Sequence, residues 1–304
     1  MGLGQVMEVG ARIMRRRFGV LLVLSLLFVG PAALLTAATG GTFNETARDI
    51  LGPGAGFFDT QTPVLSTDDA ERLAGALGAF FLASAVAGLI TTIGALGFSR
   101  VVGDDHADRA SEVGTALRAC FAGALRVLGL AILTSLIVAA IALGGGLVAF
   151  LALTIGGGDP FRGGPGAFLA LIVGVAIVVA IVYLTLRWAV AVPAIALEQA
   201  GVTEALRRSW HLTSDNIWRT LVILVLGSLV TAILSALVAT LLALVVGPLA
   251  GALGLDPGIA IDLVGAAATV LFAPFVPVLL AVLYHDLIVR RDSWDPLPSA
   301  AGRG

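Results

Sequence analysis

With 304 residues, 58% of them hydrophobic and 12% charged, and a mean hydropathy of +1.02, the chain carries about half the charged fraction of a soluble domain and reads as a membrane protein. A net charge of −2 excludes a basic nucleic-acid-binding surface, and a single cysteine, Cys120, excludes an internal disulfide or a cysteine-based zinc site. All 18 basic residues are arginine, the codon bias expected of a GC-rich bacterial genome.

A helix needs about 20 apolar residues to cross the hydrocarbon core. Runs of that length fall at 18–39, 73–98, 127–155, 167–190, 220–250 and 263–289. The first follows "MRRRF" and precedes "PAALLTAATG", which together imitate a cleaved export signal. Its run of about 22 residues exceeds the roughly 7–15 of a signal core, so a retained span is predicted. Residues 40–72 then form the one sizeable extracytoplasmic loop. Gly52, Pro53, Gly54 and Gly56 are expected to keep it irregular, with Phe57 and Phe58 able to touch the membrane. Gly144, Gly145 and Gly146 make a weak point in the third run. Pro248 is predicted to end the fifth, and Pro274 and Pro277 to kink the sixth.

The loops divide sharply by arginine. Fifteen of the 18 fall on the side that holds both termini; only Arg48, Arg72 and Arg162 lie on the other. By the positive-inside rule both termini, including a tail over 290–304, are expected in the cytoplasm of a bacterial plasma membrane.

An approximate threefold repeat underlies the hairpins. "EVGARIMRRRFGVLLVLSLL" from Glu8, "EVGTALRACFAGALRVLGLAIL" from Glu112 and "VTEALRRSWHLTSDNIWRTLVILVL" from Val202 each lead a polar, arginine-bearing segment into an apolar span. The predicted fold is all-α: a single integral membrane domain over 1–304, six transmembrane helices as three hairpins, each introduced by a cytoplasmic amphipathic interfacial helix. On the third entry helix Val202, Leu206 and Trp210 recur every four residues and form the predicted buried stripe, opposite Glu204, Arg207, Arg208 and His211. Thr203 is expected to cap it, "TSDN" (213–216) to break it, and Ser214 or Asp215 to cap the next span. Trp188, Trp210 and Trp218 would lie near one headgroup level.

These segments resemble a known family. "VPAIALEQAGVTEALRRSWHLTSDNIWRTLVIL" (192–224), "LLAVLYHDLIVRRDSWD" (279–295) and the opening "GQVMEVGARIMRRRFGVLLVL" are similar to the membrane domain attached to some glycerophosphoryl diester phosphodiesterases and to related stand-alone bacterial proteins. The resemblance implies a six-span protein of unassigned role, without the catalytic phosphodiesterase domain.

Two polar clusters are candidates for binding. Arg207, Arg208, His211, Asp215 and Arg219 could hold an anionic headgroup or phosphate, although an interfacial helix obeying the positive-inside rule accounts for the same residues. His285, Asp286 and Arg290, with Tyr284 and Arg291, close the sixth span; Asp286 and Arg290 are spaced to pair. An intramembrane lipid enzyme would need His285, Asp286, His211 and Arg208 to converge. His106, His211 and His285 lack metal-ligand spacing, and no cofactor is expected. Arg187 is predicted to sit at the cytoplasmic edge and snorkel, leaving the span centres without ionisable groups. The expected function is a non-enzymatic membrane module engaging anionic lipid headgroups, or a membrane or cytoplasmic protein partner, in an oligomeric state the sequence leaves open. The alternative is a transporter or exporter component for an amphiphilic or lipid-like molecule.

Overall fold

The computed structural model describes residues 2–51, 66–156 and 164–292, and among them every regular element is a helix. In chain order these are α1 (Leu3–Arg16), α2 (Phe18–Leu51), α3 (Thr67–His106), α4 (Val113–Ile155), α5 (Pro165–Trp188), α6 (Ala191–Glu198), α7 (Val202–Thr213), α8 (Ile217–Ala252), α9 (Pro257–Phe272) and α10 (Phe275–Asp292). Among the described residues six stretches are long and apolar enough to cross a membrane: α2, α3, α4, α5 with α6, α8, and α9 with α10. The protein is an all-α integral membrane protein.

The helices pair as the repeat predicts, α2 with α3, α4 with α5, and α8 with α9. α10 then inserts against α1, α3 and α8, which ties the two ends of the chain together. α1 lies across the bundle as an amphipathic helix, with Val6, Gly10 and Ile13 buried on one face and Arg12, Arg15 and Arg16 exposed on the other. The core gathers at this arginine-rich end, around Leu24, Leu96, Val127, Ala194, Ile223 and Leu283. Leu279 is its hinge pin: a Cβ on either Gly10 of α1 or Gly227 of α8 would collide with it. In lipid, where solvent does not drive helices together, such close approach over small residues supplies the attraction.

At the other end Leu143, Phe150, Leu171, Val179 and Leu237 point outward, as side chains facing lipid do. The helices overrun the bilayer. α4 has 43 residues, roughly 64 Å at 1.5 Å per residue, against a hydrocarbon core of about 30 Å.

Several sequence expectations are corrected. The second entry helix is not separate, because α4 runs unbroken from Val113 and nothing like "TSDN" interrupts it. Within the loop predicted over 40–72, the described residues 40–51 and 67–72 are helix: α2 continues to Leu51 and α3 starts at Thr67. Thr36, Thr39, Thr42 and Thr46 return their hydroxyl hydrogen bonds to carbonyls of the preceding turn, which lets a polar segment remain helical. Ser66 caps α3 by accepting from the Asp69 amide at 3.1 Å. Gly52, Pro53, Gly54, Gly56, Phe57, Phe58, Arg162 and the tail beyond Asp292 lie outside the described residues.

Gly144–Gly146 does not interrupt α4, and Pro248 sits inside α8, which ends four residues later at Ala252. The helix does break at Ala273–Pro274, between α9 and α10, as proline's missing donor requires. The sixth crossing begins at Pro257 instead of 263 and so takes in Asp262, an ionisable group that the narrower boundary missed.

Candidate functional site

The polar stretch 204–219 folds as a clamp on the end of α5. α7 starts after Gly201, whose amide donates to the Glu204 carboxylate at 3.4 Å, so the cap is Gly201 with Glu204 and not Thr203. Ala205, Ser209, Leu212 and Thr213 form its buried face. The predicted stripe of Val202, Leu206 and Trp210 is therefore displaced by one position; Trp210 is 41% exposed. The reason is the small size of Ala205 and Ser209, which lets α7 approach the end of α5 closely. There the Ser209 hydroxyl donates to the Arg187 carbonyl at 2.7 Å, satisfying a helix-end acceptor.

Arg187 completes the clamp from its own side. Its guanidinium lies 4.7 Å from the Trp210 ring centroid and 5.1 Å from that of Tyr183. It also donates to the Tyr183 hydroxyl at 2.7 Å and to the Trp210 carbonyl at 3.3 Å. α8 begins after Asn216, which makes no side-chain cap, so neither Ser214 nor Asp215 caps it.

Arg208 turns back to Glu198 of α6, donating at 3.0 Å. Burial pulls its pKa down, but the neighbouring Tyr284 and Glu198 outweigh that and hold it above the ordinary guanidinium value. Arg207 and His211 lie exposed on the outer face of α7.

Asp286 is the second node. It is 3% exposed and receives Arg219 of α8 at 2.8 Å and Arg290 of α10 at 3.0 Å. A buried carboxylate held by two guanidiniums is costly to form and costlier to break, since removing a partner strands a charge. Beside it in sequence, His285 faces another way. Its ring stacks on that of His106 of α3, centroids 4.5 Å apart and 6° from parallel, and each Nδ1 donates to the carbonyl four residues earlier.

A third node went unread in the sequence. Asp105 of α3 receives Arg17 at 2.8 Å and Arg16 at 3.6 Å, while Arg17 also donates to the Arg109 carbonyl at 3.0 Å. These contacts pin the α1–α2 elbow to the end of α3.

Thus the predicted residues gather at one end but not in one constellation. Arg219, Asp286 and Arg290 meet, Arg208 pairs with Glu198, His285 pairs with His106, and Arg207 projects outward. Among the described residues no group of three or more His, Cys, Asp or Glu could hold a metal ion. Sequence reasoning passed over Ser209, Tyr183, Glu198 and Asp105; the one local signal was their polarity beside helix ends.

No curated protein and no solved structure matches the chain. A family does: residues 167–285 match the family described as the membrane domain of glycerophosphoryl diester phosphodiesterase. That stretch contains the α7 clamp, Arg219 and His285, and it ends one residue before Asp286. Over residues 167–285, from α5 through most of α10, the chain is thus similar to the membrane domain of glycerophosphoryl diester phosphodiesterase.

Proposed function

We propose that the protein is a non-enzymatic module of the bacterial plasma membrane, with both termini cytoplasmic, whose arginine-rich end engages anionic lipid headgroups. One observation carries this reading. The amphipathic helices α1 and α7 turn Arg12, Arg15, Arg16 and Arg207 outward at the end where Trp210 and Trp218 are also exposed. Arginine with tryptophan at one level is the chemistry of a headgroup layer, each cation near an anionic surface contributing about 1 kcal/mol. The pairing of Asp286 with Arg219 and Arg290 favours a holding role for the remaining polar groups over a reacting one. A partner protein meeting the same surface would use the same arginines.

The test is the lipid shell of the reconstituted protein, measured with spin-labelled phosphatidylglycerol and phosphatidylcholine. Wild type is expected to prefer phosphatidylglycerol, and R15Q/R207Q to lose much of that preference. An undiminished preference in the variant overturns the reading.

Carriage of an amphiphilic molecule is a second reading, favoured by a groove of about 570 Å³ between α2, α8 and α9 at the other end. Thr36, Thr240, Thr269 and Asp262 give it polar lining within membrane-crossing helices. In proteoliposomes this reading requires movement of a fluorescent lipid between leaflets that Asp262→Ala slows; no movement in wild type removes it.

A further inference from the structure

The arginine-rich end leaves one groove open. It runs between the start of α4 and the short helix α6, has a volume of about 350 Å³, and is lined by Arg100, Arg118, Arg126, Thr115 and Gln199 over a floor that includes Ala122. On α4 the lining residues Thr115, Arg118, Ala119, Ala122, Gly123 and Arg126 follow one another at intervals of three or one, which places them along a single helical face. Arg118 stands exposed at the outer mouth, and Arg126 lies half-buried about 12 Å further along the helix axis. Arg100 is held by Asp104 at 3.2 Å, whereas neither Arg118 nor Arg126 makes an ion pair among the described residues. This arrangement contrasts with Arg17, Arg208 and Arg219 at the same end, each of which meets an acid.

The groove is also apolar where the charges stop. Its floor of alanine and glycine, closed from below by Leu96 against Gly123, offers no hydrogen-bonding group. Phe121 and Leu125, on the neighbouring face of α4, are 72% and 81% exposed and form an apolar flank beside the groove, at the level between Arg118 and Arg126. A groove with a cation at each end and an exposed apolar flank beside it matches a molecule with a phosphate at one end and hydrocarbon that can lie along the flank. Gln199, in the left-handed conformation with φ of 54°, ends α6 at the rim and adds an amide able to donate to a phosphate oxygen.

We propose that this groove is a specific site for an anionic phospholipid, its phosphate held between Arg118 and Arg126. The proposal rests on the headgroup reading above and deepens it, assigning one tightly held lipid to a place apart from α7. Full-length protein is reconstituted with mixed phosphatidylglycerol and phosphatidylcholine, extracted in mild detergent, and its retained lipid counted by native mass spectrometry. One phosphatidylglycerol per chain is expected to persist in wild type and in R15Q/R207Q. R118Q/R126Q is expected to weaken its retention about tenfold or more, with an unchanged melting midpoint because neither arginine has a partner to lose. Ala122→Trp fills the groove at constant charge and is expected to expel the same lipid.

Full retention in R118Q/R126Q, or equal loss in R15Q/R207Q, overturns the site while leaving the broader lipid preference standing. Loss of that broader preference in wild type, read from the spin-labelled shell, overturns the headgroup reading instead. An excess of inorganic phosphate is expected to leave the lipid in place; displacement by phosphate alone identifies an ion site and overturns the lipid assignment.

Discussion

Glycine does different work at the two ends of this bundle. At the arginine-rich end, a Cβ on Gly94, Gly97, Gly103 or Gly123 would collide with Phe28, Cys120, Leu197 or Leu96, so each glycine is a place where two helices touch. Toward the other end, a Cβ on Gly144, Gly146 or Gly174 meets nothing within 4 Å. The glycines that do make contact there, Gly145 against Ile177 and Gly156 with Gly166, join α4 to α5 within one hairpin, whereas those of the arginine-rich end also join one hairpin to another. The arginine-rich end therefore locks hairpin to hairpin around the buried core, while the other end holds partners of a hairpin together and turns its remaining surface to lipid. The comparison also separates the crossing made by α9 with α10, nearly half of whose most apolar stretch is buried, from that made by α5 with α6, where none of it is.

The contrast can be broken most forcefully at Asp286. Asp286→Ala leaves Arg219 without its buried acid and is expected to cost about 3–5 kcal/mol, read as a large fall in the detergent melting midpoint. A midpoint equal to wild type would mean that this node does not hold the packed end. Next comes Leu279→Ala, which empties the space between Gly10 and Gly227 and should cost about 2–5 kcal/mol, checked by chemical unfolding in mixed micelles.

Trp210→Ala sharpens the picture at the rim. It removes one of the two rings that flank Arg187 and should cost about 1 kcal/mol while exposing the α6–α7 backbone to faster hydrogen exchange. Exchange unchanged in α7 would mean that Ser209 alone secures the clamp. The smallest effect is expected at the loose end: Leu171→Ala, on the outer face of α5, should stay within about 0.5 kcal/mol. A cost comparable to that of Leu279→Ala would erase the distinction between the ends.

What the sequence disclosed follows from the range of each interaction. Spans were legible because apolar length is local, and the amphipathic character of α1 and α7 because periodicity is local. Asp286 with Arg290 was legible for the same reason, being one helical turn apart. The joining of Asp105 to Arg17 was not, since 88 residues separate them and neither is unusual in its own segment. The face of α7 was misread because hydrophobicity favours Trp210, whereas close approach favours Ala205 and Ser209. Helix persistence through 40–51 was missed because threonine reads as a loop residue until its hydroxyl is seen bonded to the preceding turn.

Synthesis order gives the α10 node a further meaning. Leu279 and Asp286 lie in α10, which is made after every other described helix, yet they fill the notch between α1 and α8 and receive Arg219. A nascent chain released before Val276 would own five complete crossings and neither of these two residues. The packed end thus closes only once α10 has been inserted, so that helix seals the described helices inserted before it.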